Sequence, residues 1–409
     1  MITDRSKKHV FQIKSLMKII LKKMDSINQI KNNFILINSL RLIIFFSLFS
    51  VFKSCIVPYF PEPVEKEELL IVEGLISDQH EVYTIKLSKS IPLWKTIIPN
   101  PLKGCKVWIS DDLGQIDSLK ETFPGTYITD PASFQGTIGR KYSLHISTND
   151  EYGNLNYESF PMEMKAVPPI DSIYYEKKDY VEFNTPIEGC EIYLDTHDPA
   201  NNCNFYRWNY SETWEFQLPY NVTNKVCWIT ENSNKIFIKN TSILADDKVI
   251  RYPINSISNP VDKLSAKYSI LVKQYSLNED EYLYWERLKN TSDQVGGLYD
   301  LIPAIIPNNV YCVENPNEKI LGYFSVSAMS SKRVFIKDNF AGWNAKYLDC
   351  IADTIYGTNP IAGLDESVWV IIDHSDKEPP SRIVTYKRGC GDCRVRGTSI
   401  KPVFWDDDK

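Results

Sequence analysis

Segments in which apolar and polar residues alternate, joined by turns and not by helices, constrain the fold of this chain most. Side chains alternate at period two in Tyr83–Ser88 and again within Gly139–Ile146, as in strands that bury one face. Asp111–Gly114 and Pro124–Gly125 have the composition of turns. Strands that recur about every 8 to 15 residues without a helix favour an antiparallel sandwich. We therefore predict an immunoglobulin-like β-sandwich over residues 69–167.

Two adjacent prolines, Pro168 and Pro169, mark the best domain boundary, because proline is excluded from central strands and stiffens a connector. Residues 168–409 contain further strand-like segments, among them Phe205–Phe216 and Tyr268–Tyr275. The sequence thus predicts a second β-rich domain.

One helix interrupts this second domain. Asn278 and Glu281 have the spacing of an N-cap and of the acidic N3 residue in a capping box. An apolar stripe at helical spacing follows, made of Tyr284, Trp285 and Leu288. We predict a helix over about residues 278–290, so that the fold class is mainly β with one clear α-helix.

An apolar run before a cysteine indicates export. Leu42–Phe52 carries no charge over eleven residues, which is too short to span a bilayer and suits the core of a signal peptide. Basic residues precede it, and Ser54 places a small side chain before Cys55. We predict a lipoprotein signal peptide over residues 1–54, whose start site stays open, and a lipid on Cys55. An uncleaved anchor and a plain secretory signal are the alternatives.

The charge of the mature chain excludes one class of partner. Residues 1–54 contain 10 of the 46 Lys and Arg residues but only 2 of the 52 Asp and Glu residues, so their removal leaves a net charge near −14. Such an acidic chain repels a phosphate backbone, which argues against nucleic-acid binding. Residues 55–68 are rich in proline and glutamate and predict a solvated tether.

The cysteine count fits an exported protein. Eight of the nine cysteines remain when Cys55 is set aside, and an even number in an exported chain predicts that most are paired. The candidate disulfide cysteines are Cys190, Cys203, Cys350, Cys390 and Cys393. The first two are close enough in sequence to pair with each other, and the third is a plausible partner for either of the last two. The connectivity stays open.

The spacing of Cys390 and Cys393 is the one that suggests chemistry. A zinc site usually needs two such pairs, and the chain has no second C-x-x-C. A redox pair would lie at the start of a helix after a strand, whereas Gly389 and Gly391 predict a turn between strands. We therefore favour a structural disulfide over a metal site or a redox site.

No motif predicts catalysis. The five histidines are scattered, and the signatures of zinc proteases, serine hydrolases, phosphate-binding loops and EF-hands are absent from the sequence. Aromatic residues alternate in Tyr206–Tyr210, which favours the core face of a sandwich over a platform for sugars or peptides. We predict that the protein is not an enzyme and binds no cofactor and no metal.

Ten short strings, spread along the chain beyond Cys55, form a combination that resembles a known family. They are Val72–Ile76, Gly139–Ile146, Val167–Tyr175, Tyr206–Trp208, Glu212–Glu215, Cys227–Trp228, Ser269–Tyr275, Leu321–Ser327, Cys390–Gly397 and Lys401–Trp405. Together they are similar to domain-of-unknown-function family 4249.

The resemblance implies an outer-membrane lipoprotein of Bacteroidota, typically encoded beside a TonB-dependent receptor. It therefore implies that receptor as a partner and a lipid-anchored position on the outer membrane, facing the cell surface or the periplasm. The family has no established activity and no accepted binding residues, so no catalytic residue and no ligand follow from it.

Three functions are compatible with these predictions. The first is a non-enzymatic, lipid-anchored accessory that holds or presents a ligand to the receptor. The second is a structural or adhesive surface protein, such as a scaffold of an envelope complex. The third is a surface hydrolase, which requires a deep cleft with clustered carboxylates or a Ser/His pair in the folded chain.

Overall fold

Most segments that alternate in the sequence form strands, and the protein is mainly β, as predicted. A computed structural model describes residues 68–91, 100–149, 154–182, 185–220, 222–257, 262–294, 306–340, 352–356, 369–375 and 381–406. Cys55 and Cys350, the predicted signal peptide and almost all of the predicted tether lie outside the described residues.

Within the described residues, nine strands precede the predicted boundary. They are β1 (Leu70–Ile76), β2 (Thr84–Lys89), β3 (Lys106–Asp111), β4 (Ile116–Ser118), β5 (Lys120–Phe123), β6 (Thr126–Ile128), β7 (Lys141–Ser147), β8 (Asn156–Ser159) and β9 (Met162–Glu163).

Thirteen described strands and two α-helices follow. The strands are β10 (Ile170–Glu182), β11 (Thr185–His197), β12 (Phe205–Gln217), β13 (Val226–Asn232), β14 (Phe237–Asn240), β15 (Lys248–Ile257), β16 (Tyr268–Ser276), β17 (Val310–Cys312), β18 (Leu321–Val326), β19 (Met329–Ile336), β20 (Ala352–Tyr356), β21 (Val370–Ser375) and β22 (Ser381–Thr385). The helices are α1 (Glu279–Gln294) and α2 (Arg388–Gly391), and short 3-10 turns cover Asp262–Leu264, Cys393–Val395 and Val403–Asp406.

Two sheets share the first core. One has the order β18-β1-β2-β6-β5, and the other has the order β17-β8-β7-β3-β4 with β9 beside β7. The period-two pattern buries Ile109 of β3 and Leu144 of β7 in one cluster with Val72 and Ile85 of the other sheet. Each of these four side chains is at most 1% exposed. The immunoglobulin-like character of this first sandwich stays a prediction.

A second core lies between two further sheets. They have the orders β10-β11-β15 and β13-β12-β16-β19, with β14 beside β12. Ile192 and Leu194 of β11 pack in one cluster with Trp208 and Phe216 of β12. Beyond this second sandwich, β20, β22 and β21 form a small sheet of their own.

The chain crosses between the two cores beyond the predicted boundary. β18 pairs in parallel with β1, with Val72 opposite Gly322, and β17 pairs with β8. Ser327 and Ala328 alone separate β18 from β19, which belongs to the second sandwich. Gly322 allows the close approach of β18, since its φ is +89° and a Cβ there would lie 2.0 Å from the Val72 carbonyl oxygen. The first core is therefore not built from residues 69–167 alone.

Helix α1 is the predicted helix, and it extends to Gln294. It packs against both sandwiches, because the Tyr282 ring lies 5.2 Å from that of Phe205 in β12 and the Tyr284 ring lies 4.8 Å from that of Tyr323 in β18. Aromatic side chains of the helix thus contact strands of both sandwiches.

Candidate functional site

A groove of about 470 Å³ opens at the junction of the two sandwiches, beside α1. Strands β1, β2, β12 and β18 form its walls together with the helix. We call it the junction groove, and its lining residues are Glu73, Gly74, Leu75, Thr84, Lys86, Arg207, Tyr284, Trp285, Leu288, Tyr323 and Ser325. Ligand sites commonly occupy clefts between the units of a fold.

Arg207 carries a positive charge into this groove. Tyr206 and Trp208, its neighbours in β12, point into the second core, so the strand places Arg207 on the opposite face. The guanidinium carbon lies 3.9 Å from the centroid of the Trp285 ring and 5.4 Å from that of the Tyr275 ring. Burial lowers the pKa of Arg207, but a guanidinium stays charged in proteins. Its N–H groups have no hydrogen-bond acceptor among the described residues.

Glu281 is completely buried on the first turn of α1, near enough to Arg207 for their charges to interact. Trp285 Nε1 donates to Glu281 Oε1 at 3.3 Å. Oε2 has no hydrogen-bond partner among the described residues, and neither has the hydroxyl of Ser327. Burial raises the pKa of Glu281 to about 7, while the Ser325 hydroxyl and the Arg207 guanidinium act in the opposite direction. Groups with such perturbed pKa values cluster at functional sites.

Sequence reasoning missed Arg207 and Glu281 as functional residues. It assigned Glu281 to a capping box, but the Asn278 side chain donates to the Glu163 carbonyl oxygen at 3.0 Å and the Glu281 carboxyl turns inward. It assigned no role to Arg207. The sequence did contain a signal for Arg207, since it stands between two aromatic residues that face the core. Side chains alternate along a strand, so the arginine must point to the opposite face.

The core interpretation of the aromatic run is confirmed. Tyr206 and Trp208 are at most 1% exposed, and their rings stack with centroids 5.6 Å apart. Trp208 Nε1 donates to Gln274 Oε1 at 2.8 Å, and the Tyr206 hydroxyl donates to Asp247 Oδ2 at 2.6 Å. Their polar atoms are therefore satisfied inside the protein.

A serine, a histidine and a glutamate meet on the outer face of the first sandwich. Ser110 Oγ lies 2.7 Å from His145 Nε2, and His145 Nδ1 lies 3.4 Å from Glu158 Oε1. The register explains the grouping, because His145 of β7 is opposite Glu158 of β8 and Ser110 lies on the adjacent strand β3. The Trp108 ring stacks on His145 at 5.2 Å. The order of the atoms is that of a Ser–His–acid triad.

Other parts of a hydrolase site are not found beside Ser110 in the described residues. Strand β3 pairs with β4 on one side and with β7 on the other, so its backbone N–H groups belong to sheet ladders and form no oxyanion hole. Arg140, the nearby cation, pairs with Asp111 at 2.8 Å. The space that these residues line measures about 20 Å³, room for about one water molecule.

The family model described as Domain of unknown function (DUF4249) matches residues 56–333, more than half of the chain. The chain belongs to this family. No curated protein matches it. In this member of family 4249 the matched range contains the junction groove and the Ser110–His145–Glu158 group, whereas Cys390 and Cys393 lie outside it.

The predicted disulfides are found in part. Cys393 is bonded to Cys227 of β13, which was not among the candidates, and Cys390 is also in a disulfide. The prediction that Gly389 and Gly391 form a turn between strands is wrong, because both glycines lie in α2, and a 3-10 turn over Cys393–Val395 follows the helix. The Asp392 carboxylate stabilises the start of the 3-10 turn by accepting a hydrogen bond from the Arg394 backbone N–H at 2.9 Å.

The predicted pair of Cys190 and Cys203 is wrong, and both are reduced thiols. Cys190 lies seven residues before His197 in β11, about 23 Å along the strand. Cys203 lies beyond His197, the last residue of β11, and its backbone N–H donates to the Asp198 carboxylate at 2.9 Å. Burial raises the pKa of each thiol to about 12, so both are unreactive near neutral pH. The remaining two described cysteines, Cys105 and Cys312, are reduced as well, so the expectation that most of the eight pair is not met.

The described residues contain neither a candidate membrane-spanning helix nor a candidate metal site. No helix in this part of the chain has both the length and the apolar character needed to cross a bilayer. The same residues contain no group of three or more His, Cys, Asp or Glu side chains placed to hold a metal ion.

Proposed function

We propose that the protein is a lipid-anchored outer-membrane protein that binds a ligand and presents it to a TonB-dependent receptor, without catalysing a reaction. The observation that carries the binding role is the junction groove, where a half-buried guanidinium has no acceptor among the described residues. An apolar cleft with a few convergent polar groups is the usual form of a ligand site. Membership of family 4249 supports the receptor partnership through the resemblance already described.

Because of the proposed anchor, even a weak contact with the receptor is sufficient to keep the two proteins associated. A lipoprotein carries two or three acyl chains on its cysteine, and two or more chains hold a protein stably at a membrane. The Pro/Glu-rich residues after Cys55 supply reach, since Pro-rich linkers extend by about 3.1 Å per residue. Confinement to the membrane raises the effective concentration of the protein near its partner.

Replacement of the anchor residue tests this function. We expect tagged wild-type protein from native membranes to carry a lipid on Cys55 and to recover a TonB-dependent receptor. The Cys55→Ser variant should lose both the lipid and the membrane fraction, because the thiol is the attachment point. Intact-mass spectrometry and identification of the co-purified proteins are the measurements. An unmodified Cys55 in membrane-extracted protein contradicts the anchor, and repeated recovery without a receptor contradicts the partnership.

A surface hydrolase is the second candidate, and the Ser110–His145–Glu158 distances are the observation that favours it. We expect the purified protein to resist labelling by a fluorophosphonate probe, because the described residues near Ser110 provide no oxyanion hole and no substrate cleft. A serine hydrolase treated in parallel controls for the reagent. Stoichiometric labelling that Ser110→Ala removes would make the protein an enzyme and end the binding-only proposal.

A further inference from the structure

Among the described residues, Arg207 lacks the hydrogen-bond acceptor that a half-buried guanidinium normally has. A guanidinium presents five N–H donors in a planar fork, and an ionised acceptor forms stronger hydrogen bonds with these donors than a neutral one does. In the described part of the chain these donors meet no acceptor, and the interactions of Arg207 are with the Trp285 and Tyr275 rings and with the charge of Glu281. The stacked ring holds the fork in one orientation, so it is ready to receive an acceptor from the groove.

The rest of the groove is mainly apolar. Tyr284, Trp285 and Leu288 of α1 form one wall, and the Tyr284 ring packs on Tyr323 of β18 at 4.8 Å. Leu75 of β1 adds an aliphatic surface. A ligand that fits this groove needs an apolar or aromatic surface to cover these side chains. The groove volume of about 470 Å³ suits a molecule of small to moderate size.

The charge of the site favours one planar anion of single charge. Among the described residues of the lining, Arg207 supplies the one inner cation, and Lys86 and Glu73 are exposed and carry opposite charges. Glu279, Asp280 and Glu281 occupy the first turn of α1, so the start of this helix does not attract an anion. A phosphate group carries up to two charges and usually needs more cations or helix N–H groups than these.

We propose that the junction groove binds an organic carboxylate, with the carboxylate on the Arg207 guanidinium and an apolar or aromatic body against Tyr284, Trp285 and Tyr323. This inference rests on the proposed function and specifies its ligand. A carboxylate offers two parallel acceptors that match the two N–H groups of the guanidinium fork. A lysine ammonium in place of the guanidinium could not make this paired contact.

Glu281 gives the proposal a second readout. When its carboxyl ionises near neutral pH, the new negative charge offsets that of Arg207 and repels an anionic ligand, so affinity should rise as the pH falls from 8 to 6. The Glu281→Gln variant should bind with little dependence on pH over this range. In the part of the chain that the structure describes, the other titratable groups around the site are Glu73, Lys86, Tyr275, Asp280, Tyr284 and Tyr323. Burial raises the pKa of the three tyrosines, so they stay neutral throughout.

Calorimetry with the full-length protein, purified in detergent and dialysed, tests the assignment. The probes are phenylacetate and decanoate, with phenylacetamide as the neutral counterpart and inorganic phosphate as the other anion. We expect at least one carboxylate to bind, and the amide and phosphate to bind at least about tenfold more weakly. Arg207→Gln should weaken carboxylate binding at least about tenfold, and Arg207→Lys should weaken it less, because a lysine keeps the charge but not the fork.

Arg333→Gln is the matched control, since Arg333 also stacks on a ring, that of Phe404 at 3.5 Å, and does not line the groove. It should bind like the wild type, and circular dichroism should show every variant to be folded. Carboxylate binding that survives Arg207→Gln overturns the site, and preferential phosphate binding overturns the ligand class.

Mass spectrometry of ligand that co-purifies with the wild type separates the two proposals. If no probe binds but a non-acidic molecule is retained and is lost in Arg207→Gln, the carboxylate assignment fails and the binding function stands. If no probe binds and no molecule is retained, the binding function fails too.

Discussion

Replacement of both Cys227 and Cys393 by alanine is expected to lower the free energy of unfolding by about 4 kcal/mol. The disulfide closes a loop with a sequence separation of 166 residues and so restricts the unfolded chain strongly. It also fastens the end of the chain to β13, where Trp228 and Thr398 exchange two backbone hydrogen bonds of 2.9 Å. Urea unfolding of the two proteins without reductant measures the difference.

Cys190→Ala is the matched control for this experiment. Cys190 is fully buried and reduced, so its replacement removes a buried sulfur without opening a loop. We expect it to destabilise the protein by about 1 kcal/mol, the scale of a small core truncation. A double variant no less stable than this control would show that the disulfide contributes little.

Replacement of Glu281 by glutamine is expected to remove a pH dependence of stability of about 3 kcal/mol. The pKa of the carboxyl is raised from 4.5 to about 7 by burial, so the folded state binds the proton more tightly than the unfolded chain. The resulting stabilisation is fully present below pH 4.5 and is lost as the pH rises through about 7. Glutamine resembles the protonated carboxyl and has no such loss. The variant should therefore gain about 3 kcal/mol relative to the wild type between pH 4.5 and pH 8.

Glu279→Gln provides the comparison, because Glu279 is exposed on the same turn of α1. Its stability curve should run parallel to that of the wild type from pH 4.5 to pH 8. Urea unfolding at several pH values gives both curves. If the Glu281→Gln curve also runs parallel to the wild type, Glu281 does not titrate near neutral pH in the folded protein.

The elements of local origin were predictable. The strand around Leu144 and Ile146 follows from alternation alone, because a strand with one buried face must place apolar side chains at every second position. Helix α1 follows from its apolar stripe, and the burial of Tyr206 and Trp208 follows from the same period-two rule in β12. Each of these features depends on neighbours along the chain.

Pairing between distant segments was not predictable. Nothing local in Leu321–Val326 indicates that β18 joins β1 in parallel, since a strand carries no label for its partner. The Cys227–Cys393 bond depends on the same long-range approach, and the nearness of Cys190 and Cys203 in sequence was misleading because an extended strand separates them. The Ser110–His145–Glu158 group likewise requires the register of three strands.

By itself, the sequence determined that this protein is mainly β, that its described residues contain one clear helix and that aromatic side chains lie in its second core, because these properties follow from the periodicity of neighbouring residues. The tertiary structure alone decided where the charges lie. Arg207 and Glu281 are far apart in the chain, and α1 brings them together at the junction of two sandwiches, where burial changes the chemistry of both. Burial and proximity are properties of the folded chain, and a candidate binding site defined by them becomes visible only in the fold.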